Sequence, residues 1–248
     1  MLRVEITVPV HNEARDLEQS IGRLAEFVRG ISLFESRIVI ADNASTDGTL
    51  ALAEDLARRY ASVSVVHLPE RGRGGALRTV WSRSDADVVS YMDVDLSTNL
   101  KFFPLLIHGL SIGYDVAVGS RRLQASQTER CFKREVISRG YNWIVKALFW
   151  NRFSDAQCGF KALDRRVAQQ LLPHVRDNSW FFDTELMLLA ERWGRKIFEV
   201  PVEWIEDLDS RVRILPTALE DLRGLLRVRM ATLRRSQAAP VDLLRQPQ

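Results

Sequence analysis

Val88-Val89-Ser90-Tyr91-Met92-Asp93-Val94-Asp95 is a short strand-forming run that ends in two carboxylates. A nearly continuous apolar run of this kind fits a strand buried on both faces, as in a parallel sheet. Four other runs share the character: Val4–Val10, Arg37–Ala41, Val63–Leu68 and Val116–Val118. Between the first two, Leu17, Ile21, Leu24, Phe27 and Val28 recur at helical spacing. The cluster Ser45-Thr46-Asp47-Gly48 reads as a turn and cap, and Leu52, Leu56 and Tyr60 mark the helix after it. Alternating strands and helices predict an α/β fold with an open, mostly parallel sheet. Such sheets bind ligands beyond the carboxyl ends of their strands.

The predicted strand ends carry polar residues in succession. The first ends in Pro9-Val10-His11-Asn12-Glu13 and the second in Asp42-Asn43-Ala44-Ser45-Thr46-Asp47-Gly48-Thr49. The third leads to Arg71-Gly72-Arg73-Gly74-Gly75-Ala76, where glycines permit close backbone approach and arginines suit phosphate. The fourth delivers Asp93-Val94-Asp95. Mg²⁺ and Mn²⁺ prefer oxygen ligands, and Mg²⁺ commonly takes one or two carboxylates together with substrate phosphates. A solvated acidic turn would look the same in isolation. Four ligand-type loops in strand order favour a nucleotide diphosphate and its cation.

The second half is different. Arg121 to Arg152 holds eight Lys or Arg against two acids, and Asp209 to Arg235 holds seven Arg against three. The net charge of the whole chain is only +3, so cations are concentrated late, where an anionic partner is expected. Residues 130–150 read as a helix that interleaves Phe132, Tyr141, Trp143, Ile144, Leu148, Phe149 and Trp150 with Arg139 and Lys146. Two readings of it stand open, a helix lying on a membrane interface and a helix packed on the sheet. Asp155–Leu163 reads as a loop into a short strand, Phe182–Trp193 as a helix and Ile197–Trp204 as one strand. Leu219–Leu233 reads as a basic helix. Its stripe Leu222, Leu225, Leu226, Met230 and Leu233 fits anionic lipid or the domain's own core. Cys131 and Cys158 form no disulfide framework and read as reduced thiols. No apolar stretch reaches the roughly 20 residues that a membrane-spanning helix needs.

These motifs resemble the GT-A-fold glycosyltransferases of family 2, in the branch of polyprenyl- or dolichyl-phosphate sugar synthases. The resemblance rests on Pro9 to Glu13, Asp42 to Thr49, Arg73-Gly74-Gly75-Ala76, Asp93 to Ser97, Gly119-Ser120-Arg121, Asp155 to Lys161, Glu199-Val200-Pro201-Val202 and Ser210-Arg211. It implies a Rossmann-like mostly parallel sheet in a single catalytic domain over 1–215. A C-terminal helical extension over 216–235 and a flexible tail over 236–248 follow. It further implies that Pro9, Val10, His11, Asn12, Glu13, Asp42, Arg73, Asp93 and Val94 line the nucleotide. Asp93, Asp95 and Ser97 would hold Mg²⁺ or Mn²⁺. Asp95, Arg121 and Arg211 would do the catalytic work, the arginines gripping phosphates. Relatives often carry Tyr at position 11, two adjacent acids at 42–43 and Gln at 97. The first two differences leave the base open between uridine and guanosine.

The implied reaction moves a hexose from a nucleotide-diphosphate sugar, GDP-mannose or a UDP-hexose, to a polyprenyl phosphate, with inversion. A phosphate acceptor has a second pKa near 6, so at pH 7 it needs cations around it more than a base. Arg121, Arg122, Arg130, Lys133, Arg134, Arg211 and Arg213 are the cations on offer. The expected setting is cytoplasmic and peripheral, at the inner face of a membrane or on a separate membrane-spanning partner. Nucleic acid is not an expected partner, because no reader motif accompanies the basic residues. A soluble or different lipid acceptor, a nucleotidyltransferase on a similar sheet, and an inactive scaffold are the rivals. The nucleotidyltransferase is disfavoured because Pro9-Val10-His11-Asn12-Glu13 lacks a Gly-rich basic loop. His67, His108 and His174 have no metal-ligand spacing, and Glu185 reads as a helix cap or an acceptor-loop support.

Overall fold

The computed structural model describes residues 1–129, 132–205 and 214–237, with the side chains of 132–134, 214–218 and 231–237 outside that description. Its strands are β1 (Arg3–Val10), β2 (Glu35–Asn43), β3 (Val63–Leu68), β4 (Val88–Met92), β5 (Val116–Ser120), β6 (Gln127–Glu129), β7 (Phe160–Asp164), β8 (Ile197–Pro201) and β9 (Glu203–Ile205). The helices are α1 (Leu17–Arg29), α2 (Thr49–Arg59), α3 (Arg73–Arg83), α4 (Phe103–Ser111), α5 (Phe132–Phe149), α6 (Arg165–Leu171), α7 (Phe182–Arg192) and α8 (Ile214–Gln237).

The main sheet has the order β3-β2-β1-β4-β7-β5-β8. All neighbours run parallel except β7, which is antiparallel to both β4 and β5. The parallel half follows from the sequence: Val4, Ile6, Val8, Ile38, Ile40, Val88 and Val89 are buried, as strands covered on both faces require. Helix α1 buries Leu17, Ile21, Leu24 and Val28, the stripe expected from its spacing. The sheet is therefore mostly parallel, as read.

Three local readings change. The run Ile197–Trp204 is two strands in two sheets. Pro201 ends β8 because it has no N–H to extend the ladder, and β9 then pairs with β6. The segment Arg73-Gly74-Gly75-Ala76 opens helix α3 rather than a loop. Its glycine faces protein: a Cβ on Gly74 would lie 2.5 Å from the Cβ of Phe182. Gly74 thus lets α3 and α7 approach closely. Finally, α8 starts earlier and ends later than expected. It packs on α5 and α7, burying Leu225 and leaving Leu219, Leu222, Leu226 and Met230 exposed. Helix α5 divides in the same way, with Tyr141 and Val145 inward and Trp143 outward, and Trp150 just past its end is exposed. No helix among the described residues is long and apolar enough to cross a membrane.

Candidate active site

The ends of β1, β2 and β4 gather on one edge of the sheet, where Val10 lies opposite Asp42 in register. The chain leaves β1 through Asn12, whose φ of 58° lies in the left-handed region that Asn tolerates. That turn is locked to the β2 loop. Asn12 N–H donates to Ser45 Oγ (3.0 Å), Thr46 N–H to Asn12 Oδ1 (2.8 Å) and Glu13 N–H to Thr49 Oγ1 (2.8 Å). His11 Nδ1–H donates to the Asn43 carbonyl at 2.7 Å. Asp42 is fully buried and receives His67 Nδ1–H on Oδ2 at 2.7 Å.

Strand β4 places Asp93 beside Arg73 and Gly159. Asp93 Oδ1 accepts from Arg73 Nη2 at 2.8 Å. Gly159 leaves room for the other oxygen, because a Cβ there would lie 1.7 Å from Asp93 Oδ2. Gly159→Ala is therefore expected to expel the Asp93 carboxylate and lower stability by about 1–3 kcal/mol, the usual cost of overpacking. Urea denaturation checks it; an unchanged midpoint would contradict this role. Asp95 is exposed and accepts from Ser97 N–H at 3.0 Å. Leu96 between them has a φ of 49°. A cleft is lined by Asp93, Asp95, Ser97, Thr98, Gly159 and Trp204. Trp204 is brought there by β9, through Ile205 N–H to Ser97 O (3.0 Å) and Asn99 N–H to Glu203 O (3.0 Å).

A buried ion network supports Asp93 from behind. Arg73 Nη1 donates to Asp183 Oδ2 at 2.6 Å, and its guanidinium sits 4.9 Å from the ring centres of both Tyr91 and Trp180. Lys161, fully buried, reaches Asp183 Oδ1 at 3.0 Å and donates to Cys158 O at 2.6 Å. The Tyr91 hydroxyl also donates to Asp183. Burial alone would raise the Asp183 carboxyl, but Lys161 and Arg73 outweigh it and hold the group below the ordinary carboxylate range. Burial pushes the Cys158 thiol up to about 12, so this cysteine is an inert core residue.

Arg121 follows β5 and pairs with the fully buried Asp155 through Nε (2.7 Å) and Nη2 (2.9 Å). Burial opposes ionisation of Asp155, yet Arg121 prevails and holds it far below the usual range. The Arg121 guanidinium also lies 5.5 Å from the Trp204 ring centre. One aromatic ring thus separates it from the Asp93–Asp95 cleft.

A divalent cation would find a partial oxygen shell here. Asp93 and Asp95 line the same cleft, and Ser97 Oγ is buried without a hydrogen-bond partner. Among the described residues no group of three or more His, Cys, Asp or Glu makes a closed cage. That set fits a cation shared with a diphosphate, since Mg²⁺ is commonly bound by one or two carboxylates plus phosphate oxygens. The residues expected at the nucleotide lie at the sheet edge. Arg73 differs in being committed to Asp93 and Asp183. Ser210, Arg211, Arg213, Arg130 and Cys131 lie outside the described residues, and the side chains of Lys133 and Arg134 do too. Glu185 accepts from the N–H groups of Arg176 and Asp177 and from Arg227 of α8, so it ties helix and loop together.

Comparison with known proteins is consistent with this geometry. The model described as Glycosyl transferase family 2 matches residues 5–172. The chain belongs to glycosyltransferase family 2. Glycosyltransferase AglD of Haloferax volcanii is 33% identical over 217 residues, which is 86% of this chain and 35% of AglD. Dolichyl-phosphate beta-glucosyltransferase ALG5D of Trichomonas vaginalis is 27% identical over 223 residues, 85% of this chain and 68% of that protein. The chain therefore spans about a third of the length of the one relative and two thirds of the other. In fold, the chain is similar to glucosyl-3-phosphoglycerate synthase from Mycobacterium tuberculosis, solved with Mn²⁺, UDP and glucosyl-3-phosphoglycerate. The TM-score is 0.65 at 19% identity, covering 100% of this chain and 84% of that one. The GT-A architecture expected from the motifs is the one found.

Several supporting residues escape a reading of the sequence. His67 and Asp42 are penultimate in adjacent strands, which was a usable signal. Tyr91 and Lys161 face each other only because β7 inserts antiparallel beside β4.

Proposed function

We propose that this chain is an inverting hexosyltransferase. It moves a hexose from a nucleoside-diphosphate sugar to a polyprenyl phosphate, with Mg²⁺ or Mn²⁺ held by Asp93, Asp95 and Ser97. The observation that carries the reading is the placement of the two carboxylates and an unclaimed buried hydroxyl one ring away from Arg121. The dolichyl-phosphate glucosyltransferase relatives support the acceptor class.

The bound cation would supply charge neutralisation to the departing diphosphate. This chain's residues do the rest. Pro9 to Glu13, Asp42 and Val94 receive the nucleoside, and Arg73 fixes the orientation of Asp93. An acceptor phosphate oxygen attacks the anomeric carbon while the bond from that carbon to the diphosphate breaks. The nucleoside diphosphate leaves with the electron pair. Asp155 engages the Nε and Nη2 side of Arg121, which directs the remaining Nη1 donors toward an anion. Arg211 would add a second cation.

The lipid needs an apolar surface near the site. Helix α5 exposes Val136, Ile137 and Trp143 beside Arg139 and Lys146, Trp150 is exposed just past its end, and α8 exposes Leu219, Leu222, Leu226 and Met230. Aromatics mixed with cations suit the headgroup boundary of an anionic membrane. The part of the chain before α8 then forms the catalytic unit, and α8 (Ile214–Gln237) the interfacial helix, at the cytoplasmic face.

The test is sugar transfer to polyprenyl phosphate in vesicles with Mn²⁺, across a panel of donors. Glycolipid with release of nucleoside diphosphate is expected. Asp95→Asn should lower kcat by about 100-fold, in the range found for losing one transition-state charge contact. No turnover with any donor, or release of pyrophosphate instead, would sink the proposal.

A further inference from the structure

Asp42 is fully buried, and only one of its two oxygens is engaged. Oδ2 accepts from His67 Nδ1 at 2.7 Å, while Oδ1 is buried with no hydrogen-bond partner. An open acceptor at that depth costs free energy until something donates to it. The arrangement is fixed by the sheet. Asp42 and His67 are register partners on parallel strands, so their side chains leave the same face side by side. Asn43 cannot share the task. Its Oδ1 accepts from Gly72 N–H at 3.3 Å, and its carbonyl accepts from His11 Nδ1–H at 2.7 Å. A carbonyl only accepts, so His11 carries a proton on Nδ1.

We propose that His67 sets the donor's base: by engaging Asp42 Oδ2 it leaves Oδ1 as the one unengaged buried oxygen, which fits the single imide N–H of uracil. This rests on reading the β1 and β2 ends as the donor-nucleotide site. Guanine presents a ring N–H and an exocyclic amine side by side, a match for both oxygens of a free carboxylate. With His67 on Oδ2, the amine must share that oxygen with the imidazole N–H, a poorer fit than a free oxygen. Cytosine and adenine turn a ring-nitrogen lone pair toward the carboxylate and are repelled. A hydrogen-bonding site of this kind rejects a poorly matched partner because buried groups stay unpaired. The expected order is UDP first, then GDP, with CDP and ADP last. The preference for UDP over GDP should be about tenfold, the effect of one poorly paired buried donor.

The experiment is calorimetric titration of the full chain with UDP, GDP, CDP and ADP in the presence of Mn²⁺. The His67 side chain is 47% exposed, so its replacement leaves the core intact. In His67→Ala, Oδ2 is released, and the UDP-to-GDP ratio should fall to within about threefold because GDP binds more tightly. His67→Asn puts an amide N–H where Nδ1 stood and should restore the original ratio. A purely structural role would weaken UDP and GDP in proportion, and that result overturns the assignment. So would an unaltered chain that binds GDP as well as UDP, or a ratio unmoved in His67→Ala. If the unaltered chain binds none of the four, the donor-site reading itself falls and the assignment with it.

Discussion

Lys161→Met is expected to destabilise the chain by about 3–5 kcal/mol, the cost of removing one partner from a buried ion pair. The ammonium group is fully buried and serves three acceptors at once. It reaches Asp183 Oδ1 at 3.0 Å, Cys158 O at 2.6 Å and Tyr91 OH at 3.3 Å. Methionine fills a similar volume but satisfies none of them. Asp183 would keep only Arg73 as a cation, and Arg73 is already shared with Asp93. The loss is therefore expected to spread toward the cleft as well as into the core. Urea denaturation measures the first effect. Lys161→Met combined with Asp183→Asn tests the cause, since residues in one network couple. The pair should cost clearly less than the sum of the two single changes. A single-variant cost below about 1 kcal/mol, the range of an exposed pair, would show that the network carries little.

That network also marks the boundary of what the residues alone disclose. Local rules placed most of the parallel half. The run Val63–Leu68 is β3 and Val88–Met92 is β4 without change, because continuous apolar runs leave little ambiguity. The polar Glu35 and Ser36 hid the start of β2, since their pairing to Arg3 and Val4 is a tertiary fact. Helix α3 was hidden by its glycines. Arg73-Gly74-Gly75 has low helix propensity, and the helix forms because α7 packs against Gly74. The strand-end motifs were legible because each sits within a few residues of its strand. The partners of Asp42, Asp93 and Arg121 were not. His67, Arg73 and Asp155 reach them across 25, 20 and 34 positions of sequence. Such pairings depend on strand order, and the antiparallel insertion of β7 leaves no periodic trace.

Helix α8 carries a second buried charge, and its effect on stability should depend on pH. Asp221 is 3% exposed, and its Oδ1 has no hydrogen-bond partner. Gln157 Nε2–H donates to Oδ2 at 2.7 Å. Burial, with the negative charges of Asp177, Glu220 and Asp183 behind it, raises the carboxyl to about 7 against the pull of Gln157. In the unfolded chain an Asp titrates near 3.9. Below about pH 4 both states hold the proton, and stability is insensitive to this group. Between about 4 and 7 the folded state binds a proton that the unfolded state releases, so stability falls as pH rises. Above 7 the full cost is present, at most about 4 kcal/mol for a shift of about three units. Asp221→Asn is therefore expected to be about 2–4 kcal/mol more stable than the unaltered chain at pH 8, and nearly equal to it at pH 4. Its side-chain oxygen can still accept from Gln157. Urea midpoints at the two pH values decide the matter, and an equal difference at both would mean that Asp221 does not titrate in this range. Helix α8 packs mainly on α5 and α7 and is also held by the Arg227–Glu185 pair (3.0 and 2.9 Å). Ionisation of Asp221 thus acts on the element that presents Leu219, Leu222, Leu226 and Met230 outward. The same change in pH should loosen that helix before the sheet, and hydrogen exchange over residues 219–230 should rise between pH 5 and pH 8 beyond the intrinsic increase with base.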